Sequence, residues 1–206
     1  MELVVATKNK KKLEEIKAIL KDLNLNPAFA RKGGVKITSL ADYPRVPRII
    51  ENGKTFQENA IKKAVRIAHF TQKLTLGEDS GLEVGALTGK PGIYSSRFAG
   101  RDKSDFKNNL KVLKLLGDLP LRKRRAGYVC AVALADENGL IKVVEGRCSG
   151  LIGFEPKGHF GFGYDPLFII PQYKKTFAQL GPKIKHKISH RFKALKKAKA
   201  IIRSYL

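Results

Sequence analysis

Leu74-Thr75-Leu76-Gly77-Glu78-Asp79-Ser80-Gly81 is an apolar, strand-like run that stops in two adjacent carboxylates. Acid is scarce in this chain: 41 Lys and Arg against 18 Asp and Glu give a formal charge of +23. Glu78 and Asp79 must therefore either be neutralised by neighbours or hold a cation. A hard divalent ion facing a phosphate suits them, because magnesium takes oxygen ligands from one or two carboxylates and completes its shell with substrate phosphates and water. The plainer reading is a strand-to-turn junction, since Asp, Ser and Gly are ordinary turn residues. Taken alone, the octapeptide favours the plainer reading.

Upstream, Thr55 to Thr71 fits an amphipathic helix with Phe56, Ala60, Ala64, Ile67 and Ala68 on its apolar side. Further back, Leu3 to Ala6 reads as a buried strand that runs through Thr7, Lys8 and Asn9 into a helix carrying Leu13, Ile16, Leu20 and Leu23. Strand and helix alternate, so a sheet with a parallel portion is expected. Downstream, Ser104 caps a third helix whose apolar residues Phe106, Leu110, Leu113 and Leu116 end at Gly117, with Pro120 just beyond. Gly127 to Ala135 and Leu140 to Gly146 form a hairpin through Asn138-Gly139. A closing helix, Ser189 to Tyr205, sets Phe192, Leu195, Ala198 and Ile202 against a basic face. Ala28 to Ile50, with its Gly33-Gly34 pair, is the least regular segment and reads as short strands and loops.

At 206 residues the chain can bury a sizeable core, most simply as one α/β domain, possibly bilobed. No apolar run is long enough to span a membrane, and Met1-Glu2-Leu3-Val4-Val5 enters a strand pattern at once rather than a targeting segment. A cytoplasmic location is expected. Cys130 and Cys148 are too few for a disulfide framework or a zinc site and read as packing residues. The positive charge points to an anionic partner, with nucleic acid, nucleotides and acidic membrane surfaces all qualifying. Lys193, Lys196, Lys197, Lys199 and Arg203 look like the wet face of one helix rather than a nucleic-acid patch.

Ligands in open α/β sheets gather at strand carboxyl ends, beside the following helix starts. Thr7, Asn9 and Lys12 stand at such an end, where backbone amides, a hydroxyl and an ammonium meet a phosphate. The cations from Lys8 to Lys12 oppose the helix dipole, which favours an anion there over a merely exposed helix start. Asn59 and Lys63, four apart on one helical face, read more simply as a snorkelling lysine and its neighbour. In Gly161-Phe162-Gly163-Tyr164-Asp165-Pro166 the glycines let backbone approach a flat ligand, Phe162 can stack on a base, and Asp165 can read its edge. No dinucleotide fingerprint and no Walker-type loop occurs. Lys185, Ser189, His190 and Arg191 bring dense donors to the start of the last helix.

With these residues assembled, the chain resembles the inosine triphosphate pyrophosphatase family, the XTP/dITP diphosphatases, from Val4 to Arg191. The resemblance is carried by Ala6-Thr7 with Asn9 and Lys12, Glu51 before Gly53, Thr55-Phe56, Glu58-Asn59-Ala60 and Lys63-Ala64. It continues through Glu78 to Leu82, Pro91-Gly92-Ile93-Tyr94-Ser95, Gly161 to Pro166, and Lys185 before Ile188-Ser189-His190-Arg191. Lys8 and Lys11 stand where relatives often carry glycine. The resemblance implies a mixed, partly parallel twisted sheet flanked by helices, bilobed with a central substrate cleft. It implies hydrolysis of ITP, dITP and XTP to monophosphate and pyrophosphate by a single nucleotide pyrophosphatase domain.

The same resemblance implies that Thr7, Lys8, Asn9, Lys10, Lys11 and Lys12 hold the triphosphate, with Lys63 assisting. Glu51 and Asp79 bind Mg2+, and Asp79 is also the proton acceptor for the attacking water. Ser80 contacts substrate, Phe162, Gly163, Tyr164 and Asp165 cradle the base, and Lys185, His190 and Arg191 complete the site; discrimination against ATP follows if a donor such as Arg191 faces the purine 6-position, where a keto oxygen accepts and an amino group does not. A cytoplasmic homodimer that needs neither membrane nor nucleic acid is implied. The rivals are a basic nucleic-acid-binding module without chemistry and a related pyrophosphatase for modified pyrimidine or methylated nucleotides.

Overall fold

The computed structural model, which describes residues 2–23 and 34–205, opens on strand β1 (Glu2–Val5). Leu3, Val4 and Val5 are all fully buried, as a strand covered on both faces requires. β1 pairs in parallel with β2 (Lys36–Ser39) on one side and with β3 (Thr75–Val84) on the other, Val5 lying opposite Leu76. β4 (Arg125–Asp136), β5 (Gly139–Ile152), β6 (Phe168–Ile170) and β7 (Lys175–Thr176) extend the sheet in the order β2-β1-β3-β4-β5-β6-β7. The pairs β5 with β6 and β6 with β7 are antiparallel. The sheet is therefore mixed and partly parallel, as expected. Among the described residues its α-helices are α1 (Lys10–Leu20), α2 (Phe56–Thr71), α3 (Asp105–Leu116), α4 (Phe177–Ile188) and α5 (His190–Tyr205).

The chain divides into two compact units: Met1–Asp79, Cys130–Gly146 and Arg191–Leu206 form one, Ser80–Val129 and Arg147–His190 the other. In the first unit, alternation along the strands sorts side chains between two cores. Leu3, Val5 and Leu76 join Ile16 and Leu20 of α1 and Leu195 and Ile202 of α5. Val4 and Ala6 join Leu40 and Ile67, the latter from α2. In the second unit Leu82, Val112, Tyr128, Ile152, Phe168 and Phe177 share one core.

Two local expectations need correction. β3 does not stop at Gly77 but runs to Val84, so Glu78 and Asp79 sit within the strand and emerge on opposite faces. The turn preference of Asp-Ser-Gly yields because both acids find cationic partners. α2 also packs directly on the strand at Gly77, where a Cβ would lie 2.2 Å from the Ala60 carbonyl oxygen. In α3 the expected apolar face is buried only at its C-terminal end, where Leu116 joins the core and Leu113 packs against it. Phe106 and Leu110 are 68% and 46% exposed, whereas Asn108, Asn109, Val112 and Leu116 are buried. The caps Ser104 and Gly117 are as expected. The hairpin forms with longer strands, and of the irregular segment, residues 28–33 lie outside the described residues while Lys36–Ser39 is β2.

Glu2 ties this edge together. Its carboxylate accepts from Lys73 Nζ at 2.7 Å, Tyr43 Oη at 2.6 Å and Thr38 Oγ1 at 3.0 Å. Lys73, then Tyr43, pull its pKa down to about 2 against burial. A depressed acid adds stability that is complete above its unfolded pKa and is lost as pH falls through its folded one. Glu2→Gln is thus expected to lower the thermal midpoint by about 2 to 4 °C at pH 7, the pair being partly solvated. The gap from wild type should close as pH drops from 4.5 toward 2, and a gap constant across that window would remove Glu2 from this role.

Candidate active site

Asp79 leaves β3 on the α2 face. Thr55 caps α2 through the Glu58 amide, and the helical spacing of Asn59 and Lys63 brings both side chains onto the strand. Lys63 Nζ donates to Asp79 Oδ1 at 2.8 Å and to the Glu78 carbonyl at 3.1 Å, and also pairs with Glu51 Oε2 at 2.9 Å. Asn59 Nδ2 donates to Asp79 Oδ2 at 3.3 Å, while its Oδ1 accepts the Gly53 amide at 2.8 Å and anchors the segment that carries Glu51. Burial pushes the Asp79 carboxyl above its ordinary range, with Lys63 and Lys12 pulling it back. Burial opposes the Lys63 ammonium too, but Asp79 and Glu51 prevail and hold its pKa above normal. Two carboxylates already reach one ammonium nitrogen, so they can also share a small divalent cation. No group of three His, Cys, Asp or Glu that could cage a metal exists among the described residues. Magnesium beside a polyphosphate needs only one or two carboxylates.

Glu78 takes the other face, towards α1 and α5. Its Oε2 accepts from Lys12 Nζ at 2.7 Å, and its Oε1 from Arg191 Nη2 at 2.9 Å and from Cys130 Sγ at 3.4 Å. Arg191, 2% exposed, also pairs through Nη1 with Glu15. Burial works against its charge, and Glu78 and Glu15 overcome that. Burial and then Glu78 push the Cys130 thiol well up, which keeps it unreactive. Asn9 caps α1, its Oδ1 accepting the Lys12 amide at 3.1 Å, and Thr7 Oγ1 accepts the Asn9 amide at 3.1 Å. Lys8, Lys10 and Lys11 are exposed at this helix start, whose first turn has no acid. Cations at the positive end of a helix are unfavourable until an anion joins them.

The second unit holds the aromatic loop. Asp165, 1% exposed, accepts from Lys185 Nζ at 2.6 Å, from the Phe162 amide at 2.9 Å and from Tyr128 Oη at 3.4 Å. Gly161 has φ of 80°, and a Cβ there would lie 2.1 Å from Asp165 Oδ2, so only glycine permits this closure. Lys185 Nζ stands 4.7 Å from the centre of the half-buried Phe162 ring. Tyr164 turns inward to the Ser95 carbonyl at 2.8 Å, and His190 stacks on Tyr128 at 4.5 Å between ring centres.

The structure thus brings Glu51, Lys63 and Asp79 together, places Lys12 on Glu78, and places Lys185 on Asp165 beside Phe162. It commits the Arg191 guanidinium to Glu15 and Glu78 rather than leaving it as an open donor, and it buries Asp165 in an ion pair rather than presenting it as an edge reader. Ser80 is half-buried in β3. The sequence reading takes Asn59 only as the neighbour of a snorkelling Lys63, whereas this polar pair inside an apolar stripe serves Asp79. It also missed Tyr128, for which no signal existed.

The Ham1 family model matches residues 3–201. The chain is similar to a dITP/XTP pyrophosphatase of Desulforamulus reducens, 48% identical over 202 residues that cover 98% of this chain and 96% of that protein. One from Geobacillus kaustophilus is 43% identical over 196 residues, covering 95% and 91%. Among solved structures, the Staphylococcus aureus Ham1 protein matches with a TM-score of 0.85 at 37% identity, covering 100% of both chains.

Proposed function

The chain belongs to the Ham1 family, and from that premise we propose that it hydrolyses ITP, dITP and XTP to the nucleoside monophosphate and pyrophosphate, clearing deaminated purines from the nucleotide pool. The carrying observation is Asp79, a buried acid paired with Lys63 at 2.8 Å, with Glu51 held on the same Lys63 nitrogen at 2.9 Å and Lys12 within electrostatic reach. In this reading the exposed lysines and free amides at the start of α1 take the triphosphate. Water attacks the α-phosphorus, Asp79 accepts its proton, and Lys12 and Lys63 offset the charge that builds on departing pyrophosphate. Asp79 and Glu51 would hold Mg2+, which supplies charge neutralisation at the phosphates and raises the acidity of water. Phe162 supplies a stacking face for the base, with Lys185 fixed by Asp165 on the loop that carries the ring.

We take the whole chain as one pyrophosphatase domain, since relatives match it almost end to end. No helix among the described residues is long and apolar enough to cross a membrane, and we place the enzyme in the cytoplasm, where its substrates are made. A homodimer is part of the same reading, and the exposed Phe106 and Leu110 of α3 offer it an apolar surface.

The test is pyrophosphate release across ITP, XTP, GTP, ATP, dUTP and modified pyrimidine triphosphates, with and without Mg2+. Metal-dependent release from ITP and XTP at a kcat/KM at least about a hundredfold above ATP is expected, since one mismatched polar contact in a site built for hydrogen bonding weighs that heavily. Preference for a pyrimidine triphosphate, or salt-sensitive DNA binding without release, would overturn it.

A further inference from the structure

Two polar side chains of α3 meet one residue of the aromatic loop. Asp105 Oδ2 accepts the Gly163 amide at 2.8 Å, and Asn109 Nδ2 donates to the Gly163 carbonyl at 3.0 Å. Four residues apart, they fall on one helical face and hold both backbone polar groups of a single loop residue. Gly163 follows Phe162 directly and has φ of 64°, which glycine adopts at no steric cost, so the two side chains and not local strain fix its peptide groups.

Asn109 is 6% exposed, and its Oδ1 is buried without a hydrogen-bond partner. The preceding Asn108 differs, with Oδ1 accepting the Ala99 amide at 2.7 Å and Nδ2 donating to the Ser96 carbonyl at 3.2 Å. A buried acceptor left unmet works against stability. Phe106 and Leu110 of the same helix meanwhile face solvent. Burying Asn109 rather than an apolar side chain is poor for packing, and what it provides is the grip on Gly163.

We infer that Asp105 and Asn109 are positioning residues for nucleobase recognition: they fix the Gly163 peptide, and through it the Phe162 ring on which the base stacks. The inference rests on the assignment of the 161–165 loop to the base. Neither side chain touches substrate. Their loss therefore loosens base binding, raising KM for ITP, while leaving kcat at the phosphates near wild type.

The experiment compares Asp105→Ala, Asp105→Asn, Asn109→Asp and Phe162→Ala by steady-state kinetics on ITP and by hydrogen exchange of the nucleotide-free protein. One backbone hydrogen bond carries a few-fold to tenfold effect, so Asp105→Ala should raise KM about fivefold. Asp105→Asn should restore it, because the amide oxygen still accepts from Gly163. A structural role through the helix dipole predicts the opposite, since Asn and Ala both lack the charge. Asn109→Asp, which sets a carboxylate oxygen against the Gly163 carbonyl, should raise KM further. Should that variant fold poorly, the Asp105 pair decides alone. Exchange in the 161–165 segment should quicken in Asp105→Ala and not in Asp105→Asn; exchange unchanged in both, or equal KM values in both, overturns the inference. Phe162→Ala separates the premise: if it raises KM and the α3 variants do not, the clamp alone is wrong. If it leaves KM unchanged, the base loop is misassigned, and the exchange data still decide the clamp.

Discussion

Asp79→Asn is expected to lower kcat for pyrophosphate release by about a thousandfold or more, the scale of a lost general base, with circular dichroism unchanged. Asn is isosteric, so Asn59 and Lys63 keep a partner in place, and Lys63 retains Glu51 at 2.9 Å. Burial already raises the Asp79 pKa, so the charge removed is one the fold holds unwillingly. The thermal midpoint should therefore hold or rise while activity vanishes. Such an opposition marks a functional group, because a buried acid kept for stability would lower the midpoint when neutralised. Binding of Mn2+ followed by electron paramagnetic resonance should weaken in parallel, leaving Glu51 as the remaining carboxylate. Turnover near wild type would end the assignment of Asp79.

The unbroken apolar run Leu3 to Ala6 is legible because β1 is buried on both faces, and the spacing in α1, α2 and α5 because each helix buries one regular apolar face, which periodicity reports directly. Glu78-Asp79 was legible as a site but not as a geometry. Adjacent acids look like one pair in sequence, yet within a strand they serve opposite faces, and the strand extends because Lys63 on one side and Lys12 with Arg191 on the other neutralise them. α3 misled for a related reason. Its leucines and phenylalanine mark an apolar face, but the helix turns two asparagines inward to hold the backbone at Ala99 and Gly163, a tertiary demand that no local pattern records. Glu51 sits in an irregular stretch, and only Lys63, twelve residues on, ties it to Asp79. Long-range ion pairs of this kind are what sequence spacing cannot supply.

Arg191 gives the second large effect and the sharpest contrast between the two readings. A base-reading arginine, when removed, would cost discrimination between ITP and ATP and little stability. The structure instead shows a fully buried guanidinium between Glu15 and Glu78, and removing one partner of a buried ion pair costs about 3 to 5 kcal/mol because the remaining charge is uncompensated. Arg191→Met is therefore expected to lower the thermal midpoint by on the order of 10 °C. Neutralising the stranded acids should recover much of it, so the triple variant Glu15→Gln, Glu78→Gln, Arg191→Met should melt well above the single one, as double-mutant logic demands for groups sharing one network. Its activity should not recover, because Lys12 loses Glu78 as its anchor at 2.7 Å and the phosphate cradle loses a fixed cation. A single variant that melts like wild type but no longer prefers ITP would return Arg191 to the base.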